Sequence, residues 1–257
     1  MNSRTLLTLP LFHIAGIASL FRTFSCGGHL IIPSSKNLQQ EIEAASITHL
    51  SLVPTQLLNI GTCTTPVTIL LGGAPCPPHL LKHAQEQTVF HSYGMTETTA
   101  MILCNGQPLE GVETKITSDN RLLVKSNTLF QGYYRDGALE KPHLQDGYFD
   151  THDLATAEND GTITILGRAD RMFISGGENI QPGEIERAIE SYPGIDKAVV
   201  KPTEDAKYGQ IPIAFITPLL PEEQLKNFLI KTLPKYKIPK QFHPISDLGG
   251  KYGINFL

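Results

Sequence analysis

The sequence predicts an α/β fold: a partial doubly wound parallel sheet, an antiparallel β subdomain and a small C-terminal α+β domain. Three observations support this prediction. Short apolar segments alternate with helical segments in the first part of the chain, which is typical of parallel sheets. Two hairpin-like segments follow in the middle. The last part combines amphipathic helices with strands and is long enough for a small separate domain.

The first part of the chain contains five predicted strands and three predicted helices, assigned from apolar runs and their flanking turn residues. The strands are TLLTL (5–9), HLIIP (29–33), HLSLVP (49–54), VTILLGG (67–73) and TVFHSYG (88–94), and the helices are IAGIASLFRTF (14–24), LQQEIEAAS (38–46) and HLLKHAQEQ (79–87). We expect the first helix to be buried. Ligands of open parallel sheets lie beyond the carboxyl ends of the strands, so residues 72–75 and 92–98 are candidates for a binding site.

The middle and C-terminal parts have a different pattern. The predicted elements are hairpins at 112–126 (turn 119–120) and 153–167 (turn 159–161), helices at 182–191 and 221–233, and strands at 197–202, 211–218 and 242–248. Turn residues such as Asn and Gly between alternating strands are the signal for the hairpins. We place the domain boundary at Arg168–Arg171, which divides the chain into residues 1–168 and 169–257.

Composition argues against several classes of protein. The net charge is −4, and acidic and basic residues are mixed along the chain without a basic patch, which argues against a nucleic-acid partner. No apolar run reaches the roughly 18 residues of a membrane span, and no signal-peptide pattern is present near the first residue. The four cysteines show no C-x-x-C spacing, which is typical of reduced thiols, so we expect a cytoplasmic protein.

Thr96 and Glu97 directly follow a predicted strand. Backbone N–H groups and hydroxyls at a strand end can hold phosphate oxygens. A neighbouring carboxylate can bind a Mg²⁺ ion that bridges those oxygens. The alternative is a polar helix cap, because Thr begins helices and Glu suits their first turn. The residues alone leave both interpretations open.

A second set of candidates lies later in the chain. Asp153 is expected to open a strand, where its carboxylate could accept hydrogen bonds from both ribose hydroxyls; the alternative is a solvated acid near an Asp-Gly turn. Arg168 ends a predicted strand and could hold a ribose hydroxyl or a phosphate, and Asp170 lies where a hinge is expected. Gly176 and Gly177 allow a close approach of backbone to a ligand, with a linker turn as the alternative.

Two apolar segments carry further candidates. His13 lies between a predicted strand and a predicted helix, either as a hydrogen-bonded core residue or as a wall or gate of a substrate pocket. The segment Gly72-Gly73-Ala74 could let a flat base pack against backbone. Its alternative is an ordinary strand end with a Gly-Pro turn.

Seven segments follow one another in a characteristic order: LPLFHIAG, LLGGAP, SYGMTE, FQGYYR, DGYFDTHD, GRADRMFISGGENIQPGEIE and LPKYKIPK. In this order they resemble the adenylate-forming acyl-CoA synthetase superfamily over residues 5–245. The segments SYGMTE and 167–186 are the most specific. Within the superfamily the chain looks most like the ligases that activate o-succinylbenzoate in menaquinone synthesis. Ligases for medium- or long-chain fatty acids and for aryl acids share most of these motifs and stay alternatives.

The resemblance implies an ATP-dependent, AMP-forming acid–CoA ligase that uses ATP, Mg²⁺ and coenzyme A and forms an acyl-adenylate. For the nucleotide, it implies that Tyr93 stacks on adenine with Gly72, Gly73, Ala74 and Gly94 beside it, that Thr96 contacts the α-phosphate and Glu97 holds Mg²⁺, and that Asp153 binds ribose with Arg168 beside it. It also implies that His13 lies near the acyl pocket and that Asp170 is the hinge. Gly176 and Gly177 would border the path of coenzyme A. Residues 1–168 then correspond to the C-terminal portion of the large adenylation domain, and residues 169–257 to the small mobile domain.

One departure from the family pattern concerns the leaving group. The Gly/Ser/Thr-rich loop that grips pyrophosphate in the family does not occur in this sequence. Loss of a single donor of this kind costs about 3 kcal/mol, so we expect at most weak ligase activity from the chain alone. The hypotheses are a truncated ligase, a split enzyme whose separate chain carries the loop, or a non-catalytic nucleotide-binding remnant. Exposed apolar surface on the first strand and helix is expected as well.

A second departure concerns the catalytic lysine of the family, which follows a glycine in a late loop. The pair Gly250-Lys251 is the candidate, but Lys251 lies closer to KYKIPK than the family spacing requires. Either the loop is shortened and Lys251 contacts the reacting carboxylate and phosphate, or Lys251 is an ordinary solvated lysine.

Overall fold

Seven strands of the first part of the chain form one sheet. The computed structural model describes residues 3–35, 37–61, 63, 65–76, 78–176 and 178–249. The strands are β1 (Arg4–Leu6), β2 (His29–Ile31), β3 (His49–Leu52), β4 (Thr68–Leu71), β5 (Thr88–Met95), β6 (Ala100–Cys104) and β7 (Gln107–Pro108), in the order β2-β1-β3-β4-β5-β6-β7. Strands β1 to β5 pair in parallel, whereas β6 pairs antiparallel with β5 and β7. The predicted parallel sheet is therefore confirmed.

Helices connect the parallel strands. They are α1 (Ile14–Ser25), α2 (Leu38–Ala44) and α3 (Pro78–Leu81), with 3-10 segments at Pro54–Asn59 and Lys82–Ala84. Alternate residues of the strands, such as Leu52, Ile69 and Leu71, join Ile42 of α2 in an apolar core. This alternation follows from the two-residue period of a strand, which sends neighbouring side chains to opposite faces.

Helix α1 is not the buried helix that its apolar sequence predicted. It buries Gly16, Ser19 and Thr23, while Phe21 and Phe24 are 65% and 58% exposed. The prediction was wrong because an apolar composition does not tell which face of a helix meets the sheet. Here the small residues face inward, and the large side chains form the exposed apolar surface that was also expected.

The middle of the chain is antiparallel in character. Its strands are β8 (Val112–Ile116), β9 (Arg121–Ser126), β10 (Tyr133–Arg135), β11 (Ala138–Glu140), β12 (Leu144–Gln145), β13 (Tyr148–Ala157) and β14 (Ile163–Arg168). One sheet has the order β12-β13-β9-β8 with β14 paired to β13, and β10 pairs with β11. Both predicted hairpins are present: Asn120 turns with φ +64°, and Glu158 N–H donates to Thr162 O at 2.9 Å across the other turn.

The C-terminal part is α+β, as predicted. It contains β15 (Phe173–Ser175), β16 (Glu178–Ile180), α4 (Pro182–Glu190), β17 (Lys197–Asp205), β18 (Gly209–Thr217), α5 (Glu222–Leu229) and β19 (Phe242–Pro244), followed by a 3-10 segment at Ile245–Gly249. The sheet order is β17-β18-β19. Ile185 and Ile189 of α4 pack with Leu225 and Leu229 of α5 against one face of this sheet, and Phe215 packs with Leu248 on the other.

The chain forms two compact units. The first comprises Met1–Thr117, Leu123–Thr151 and Ala157–Thr164, and the second Ser118–Leu122, His152–Thr156 and Ile165–Leu257. Strands β9, β13 and β14 contribute residues to both units. The domain boundary expected at Arg168 stays a prediction. All four cysteines are free thiols, as expected. Within the described ranges, no helix has the length and apolar character needed to cross a bilayer.

Candidate functional site

The first group of candidate residues lies at the carboxyl ends of β4 and β5. Gly72 follows β4 directly, and a Cβ atom at this position would lie 2.1 Å from Ser92 Oγ on β5. The Ser92 hydroxyl also donates to Leu71 O at 3.3 Å. Gly72 is therefore needed for the close packing of two neighbouring strand ends. The next residues, Gly73 and Ala74, are exposed at this edge.

Tyr93 lies near the end of β5 and is half-buried. The register between β5 and β6 shifts between Tyr93 and Gly94, where the pairing changes from Tyr93↔Leu103 to Gly94↔Met101. Such an irregularity bends a strand and redirects a side chain. The structure thus brings Tyr93 and Gly94 to the same sheet edge as residues 72–74.

Thr96 and Glu97 lie in a 3-10 segment, Thr96–Thr98, immediately after β5. Thr96 is exposed and is not the N-cap, which is Met95, so the helix-cap interpretation of Thr96 is wrong. The turn is held by Thr98, a fully buried residue whose hydroxyl accepts from Met95 N–H at 2.9 Å and lies 2.9 Å from Ala100 O. A buried hydroxyl therefore fixes the turn and leaves the Thr96 side chain available at the surface.

The Glu97 carboxylate is held by the segment FQGYYR. The Tyr133 hydroxyl donates to Glu97 Oε1 at 2.8 Å, and Phe130 N–H donates to Glu97 O at 2.8 Å. Phe130 packs edge-on against Tyr133, with ring centroids 4.8 Å apart. The hydrogen bond to the carboxylate raises the pKa of Tyr133, because the phenol is stabilised as a donor. Sequence reasoning did not identify this role of Tyr133.

One carboxylate is available here for a cation. Among the described residues, no group of three or more His, Cys, Asp or Glu side chains could hold a metal ion by itself. Magnesium in nucleotide enzymes is commonly bound through one or two carboxylates plus substrate phosphates. A single oriented carboxylate at Glu97 fits that mode, in which the nucleotide supplies the other ligands.

The second group of candidate residues belongs to the second unit. Asp153 lies inside β13 rather than at its start, and it is only 7% exposed, so both the predicted strand opening and the alternative of a solvated acid are wrong. Arg168 ends β14 as predicted, and its Nη1 lies 3.8 Å from Asp153 Oδ1. Arg168 Nη2 also donates to Asp170 Oδ2 at 3.1 Å. This hydrogen bond, together with a charge attraction, lowers the pKa of Asp170.

The position of Arg168 is supported by a residue that sequence reasoning missed. Gln181 is buried, and its Nε2 donates to Arg168 O at 3.0 Å.

The remaining candidate of this unit, Gly176, forms the turn between β15 and β16 and donates its N–H to Tyr208 O at 2.9 Å. Gly177 and Lys251 lie outside the described residues.

His13 caps the N-terminus of α1. Its Nδ1 accepts from Ala15 N–H at 3.3 Å, and its side chain is exposed. The alternative of a buried core histidine is therefore wrong, because the residue precedes the helix instead of facing the sheet. Its role as a pocket wall or gate stays a prediction.

A cavity of about 590 Å³ lies on the sheet face opposite the apolar core of the first unit. Its lining includes Thr68, Leu70 and Phe90 of the sheet and Arg22 of α1. Arg22 Nη2 donates to Ser51 Oγ at 3.2 Å, and burial lowers the pKa of the guanidinium. A cationic group that has lost part of its hydration favours an anionic partner. No local pattern in the sequence pointed to this arginine.

Comparisons with known proteins agree with the architecture. The sequence model of the AMP-binding enzyme family matches residues 1–134, and that of the AMP-binding enzyme C-terminal domain matches residues 184–249. The chain is 32% identical to a 2-succinylbenzoate–CoA ligase of Bacillus licheniformis, over 96% of this chain and 59% of that protein. It is 37% identical to the ligase of the same name from Salmonella typhimurium, over 82% of this chain and 48% of that protein. The chain thus spans about half the length of these relatives.

Solved structures give the same result. The o-succinylbenzoate CoA synthetase of Bacillus subtilis in complex with the acyl-adenylate intermediate OSB-AMP superposes with a TM-score of 0.82 and 32% identity, over 94% of this chain and 57% of that one. The same synthetase in complex with ATP and magnesium ion gives a TM-score of 0.81 and 31% identity, over the same shares of the two chains. The predicted fold class and family resemblance are confirmed, and the chain belongs to the AMP-binding enzyme family.

Proposed function

We propose that the protein is an AMP-forming acid–CoA ligase that activates o-succinylbenzoate through an acyl-adenylate. Its activity as this chain alone is expected to be weak, because the loop that grips pyrophosphate in the family does not occur in this sequence. The observation that carries this proposal is the sheet edge at which Tyr93, Thr96 and the Tyr133-held carboxylate of Glu97 lie together. A flat aromatic ring, an exposed hydroxyl and a fixed carboxylate are the groups needed to bind a base, a phosphate and a phosphate-bound cation. The names of the relatives and the ligands of the solved neighbours support the same chemistry.

The first half-reaction joins two anions. A carboxylate oxygen of the acid attacks the α-phosphorus of ATP, the bond to the bridging oxygen breaks, and pyrophosphate leaves. In this proposal the exposed Thr96 hydroxyl donates to an α-phosphate oxygen. Glu97 would hold Mg²⁺, and a bound Mg²⁺ would neutralise negative charge on the phosphates. Tyr133 keeps one Glu97 oxygen fixed, so the carboxylate is oriented before the nucleotide arrives.

The second half-reaction transfers the acyl group. The coenzyme A thiol loses its proton and attacks the acyl carbonyl carbon, and AMP leaves with the bond electrons of the mixed anhydride. We assign Asp153 to the ribose hydroxyls, with Arg168 fixing it from one side. Gly176 and Gly177 border the path of the thiol arm, Asp170 serves as hinge between residues 1–168 and 169–257, and Lys251 is the candidate for the reacting carboxylate. The free cysteines and the use of ATP and coenzyme A fit a reaction in the cytoplasm.

The choice of acid rests on Arg22. o-Succinylbenzoate has two carboxylates, and only one is consumed by adenylation. The second stays anionic and needs a cation when it is buried. Arg22 provides one in a cavity of suitable volume for a small aromatic acid. A fatty acid has no second carboxylate, so the same arginine disfavours the fatty-acyl alternative. We place His13, at the start of the same helix, near the acyl group.

A binding measurement tests the nucleotide assignment. Calorimetry with a non-hydrolysable o-succinylbenzoyl sulfamoyladenosine should show binding that Asp153→Asn weakens about tenfold or more, as expected for losing a charge-assisted hydrogen bond of 1.5–3 kcal/mol. The matched control is Asp136→Asn, an exposed turn aspartate in which Asn tolerates the positive φ of 47°. Equal affinity of the Asp153 variant and the parent protein would contradict the assignment.

A comparison of two acyl-adenylate analogues tests which acid the protein activates. Arg22→Gln should weaken the o-succinylbenzoyl analogue about tenfold or more and leave the benzoyl analogue, which lacks the second carboxylate, within about twofold. If both analogues lose affinity equally, Arg22 supports the fold and does not bind the second carboxylate of the acid. If a long-chain acyl analogue binds more tightly than the o-succinylbenzoyl one, the proposed acid is wrong.

A further inference from the structure

Two neighbouring residues directly after the 3-10 segment Thr96–Thr98 have left-handed backbones. Thr99 has φ +55° and ψ +50°, and Ala100 has φ +78°. Residues with a Cβ atom rarely adopt this conformation, and for a β-branched residue such as threonine it is a genuine outlier. Such strain persists only where the surrounding structure determines it, and it is concentrated at functional sites. The contacts that hold this turn therefore bear on its function.

The backbone of Ala100 is held from within the turn. The Thr98 hydroxyl lies 2.9 Å from Ala100 O, and it accepts from Met95 N–H at 2.9 Å. Gly94 leaves the space that the Ala100 carbonyl occupies, because a Cβ atom at Gly94 would lie 1.6 Å from Ala100 O. The left-handed Ala100 is thus fixed between β5 and a buried hydroxyl. None of these three contacts uses the side chain of Thr99.

The Thr99 side chain reaches a distant segment of the chain. Its hydroxyl donates to Thr128 O at 2.6 Å. Two more hydrogen bonds join the same two segments, and both of them use Glu97. Phe130 N–H donates to the Glu97 carbonyl oxygen, and the Tyr133 hydroxyl donates to the Glu97 carboxylate, each at 2.8 Å. The turn is therefore joined to the segment 128–133 at two of its residues, Glu97 and Thr99.

The segment 128–133 is itself anchored to the antiparallel strands. Thr128 N–H donates at 3.1 Å to the hydroxyl of Ser126, the last residue of β9. The Phe130 ring packs edge-on against Phe149 of β13, with ring centroids 5.6 Å apart. All four residues belong to the first compact unit. Thr99 is thus tied to a part of the unit that paired strands hold in place.

The left-handed turn decides which way the side chains face. Thr98 is fully buried, whereas Glu97 is half-buried and Thr99 is exposed. A left-handed residue bends the chain sharply, so Glu97 and Thr99 both meet the segment 128–133 while Thr98 points into the interior. The position of the Glu97 carboxylate therefore depends on its own hydrogen bonds and on the attachment of Thr99 two residues later.

We propose that Thr99 is a positioning residue for the cation site: its left-handed backbone and its hydrogen bond to Thr128 hold Glu97 in the orientation in which the carboxylate binds Mg²⁺ together with the nucleotide. This inference rests on the proposed role of Glu97. Thr99 itself touches neither the cation nor the nucleotide. Loss of its hydroxyl therefore weakens the part of nucleotide binding that depends on Mg²⁺ and leaves the remaining part unchanged.

Three substitutions of Thr99 separate the hydroxyl from the backbone. Thr99→Ser keeps the hydroxyl, whereas Thr99→Val keeps the shape of the side chain and loses the hydroxyl. Thr99→Gly also loses the hydroxyl, but glycine adopts the left-handed backbone without strain. The matched control is Thr232→Val. Thr232 is an exposed threonine after α5, and its hydroxyl also donates to a backbone carbonyl, Leu229 O, at 3.3 Å.

Calorimetry with ATP in excess Mg²⁺ and in excess EDTA measures the two parts of binding. No acid is present, so adenylation does not consume the ATP. We expect Thr99→Val and Thr99→Gly to bind about fivefold more weakly than the parent in Mg²⁺ and within about twofold of it in EDTA, as for the loss of one hydrogen bond. Thr99→Ser and Thr232→Val should stay within about twofold of the parent in both conditions.

Thermal unfolding of the same variants reports the backbone strain. We expect Thr99→Gly to melt at a higher temperature than Thr99→Val, because only valine keeps a β-branched side chain in the left-handed conformation. Should Thr99→Val fail to fold, Thr99→Gly and Thr99→Ser carry the binding comparison by themselves.

The outcomes distinguish this inference from the proposed function. If Glu97→Gln removes the effect of Mg²⁺ on ATP binding but Thr99→Gly retains it in full, the inference about Thr99 alone is overturned. It is also overturned if Thr99→Gly weakens binding equally in Mg²⁺ and in EDTA, or if Thr99→Ser binds as weakly as Thr99→Gly. If the parent protein does not bind ATP, or if Glu97→Gln leaves the effect of Mg²⁺ unchanged, the proposed role of Glu97 is overturned together with the inference.

Discussion

Gly94 offers a direct test of how the sheet edge is built. A Cβ atom at this position would lie 1.6 Å from Ala100 O and 2.9 Å from Met101 Cα, both backbone atoms of β6. Carbon and oxygen atoms do not ordinarily approach closer than about 3.3 Å. The substitution Gly94→Ala therefore requires the two strands to separate by roughly 3.3 − 1.6 = 1.7 Å at this point. A backbone atom cannot turn aside as a flexible side chain can.

The cost can be worked from this separation. Overpacking a core costs about 1–3 kcal/mol where side chains can adjust, and backbone contacts fall at the upper end of that range. Opening the strands also weakens the pairs Gly94↔Met101 and Met95↔Ala100, at about 1 kcal/mol for each lost hydrogen bond. We expect Gly94→Ala to lower the free energy of unfolding by about 3–5 kcal/mol. This is a large share of the stability of an ordinary domain.

Chemical denaturation of the parent chain and the variant measures this difference. The control is Gly111→Ala, where nothing lies within 4 Å of the added Cβ but φ is +76°. That control reports backbone strain alone, about 1 kcal/mol. The close approach of β5 and β6 would be refuted if Gly94→Ala cost no more than Gly111→Ala. A confirmed loss should be accompanied by weaker nucleotide binding, since Tyr93 lies at the same irregularity.

Three further predictions follow from single contacts. Tyr133→Phe removes the donor to Glu97 and should weaken Mg²⁺-dependent nucleotide binding about fivefold in calorimetry, without changing binding in the absence of Mg²⁺. Burial raises the pKa of Glu190 in the folded chain. The folded chain therefore loses stability as the pH rises from the unfolded-state pKa of about 4.3 through the higher folded-state pKa. Glu190→Gln keeps an acceptor for Ala198 N–H and should raise the melting temperature at pH 7 but not below pH 4. A lower melting temperature of the variant at pH 7 would contradict the destabilising effect of the buried carboxylate. Leu225→Ala in the fully buried core of the second unit should cost about 2–5 kcal/mol in denaturation, and a cost below about 1 kcal/mol would mean that this core is not closely packed.

Sequence patterns identified the elements because their signals are local. The apolar runs around β3, β4 and β5 are short and lie between polar segments, so they predict buried strands without knowledge of any distant residue. The same reasoning placed Gly72 and Tyr93 at strand ends. Both residues are where a parallel sheet carries its ligand sites.

The supporting contacts of the site could not be predicted in this way, because they join residues far apart in the chain. Tyr133 reaches Glu97 across 36 positions, and Thr99 reaches Thr128 across 29. No periodicity or spacing connects such pairs before the fold is known. The burial of Asp153 was missed for a related reason: a single acid in a polar segment looks solvated until the strands on either side are paired.

The alternation of side chains along the strands also bears on specificity. Thr68 and Leu70 of β4 line the cavity that contains Arg22, whereas Ile69 and Leu71 of the same strand pack in the apolar core. A strand can change its cavity-facing residues without disturbing the core on its other face, because neighbouring side chains point in opposite directions. The candidate nucleotide-binding residues lie on neither face of the sheet but at the carboxyl ends of its strands. If the cavity binds the acid and the strand ends bind the nucleotide, as proposed above, residues that recognise the acid can be replaced without changing those that recognise the nucleotide.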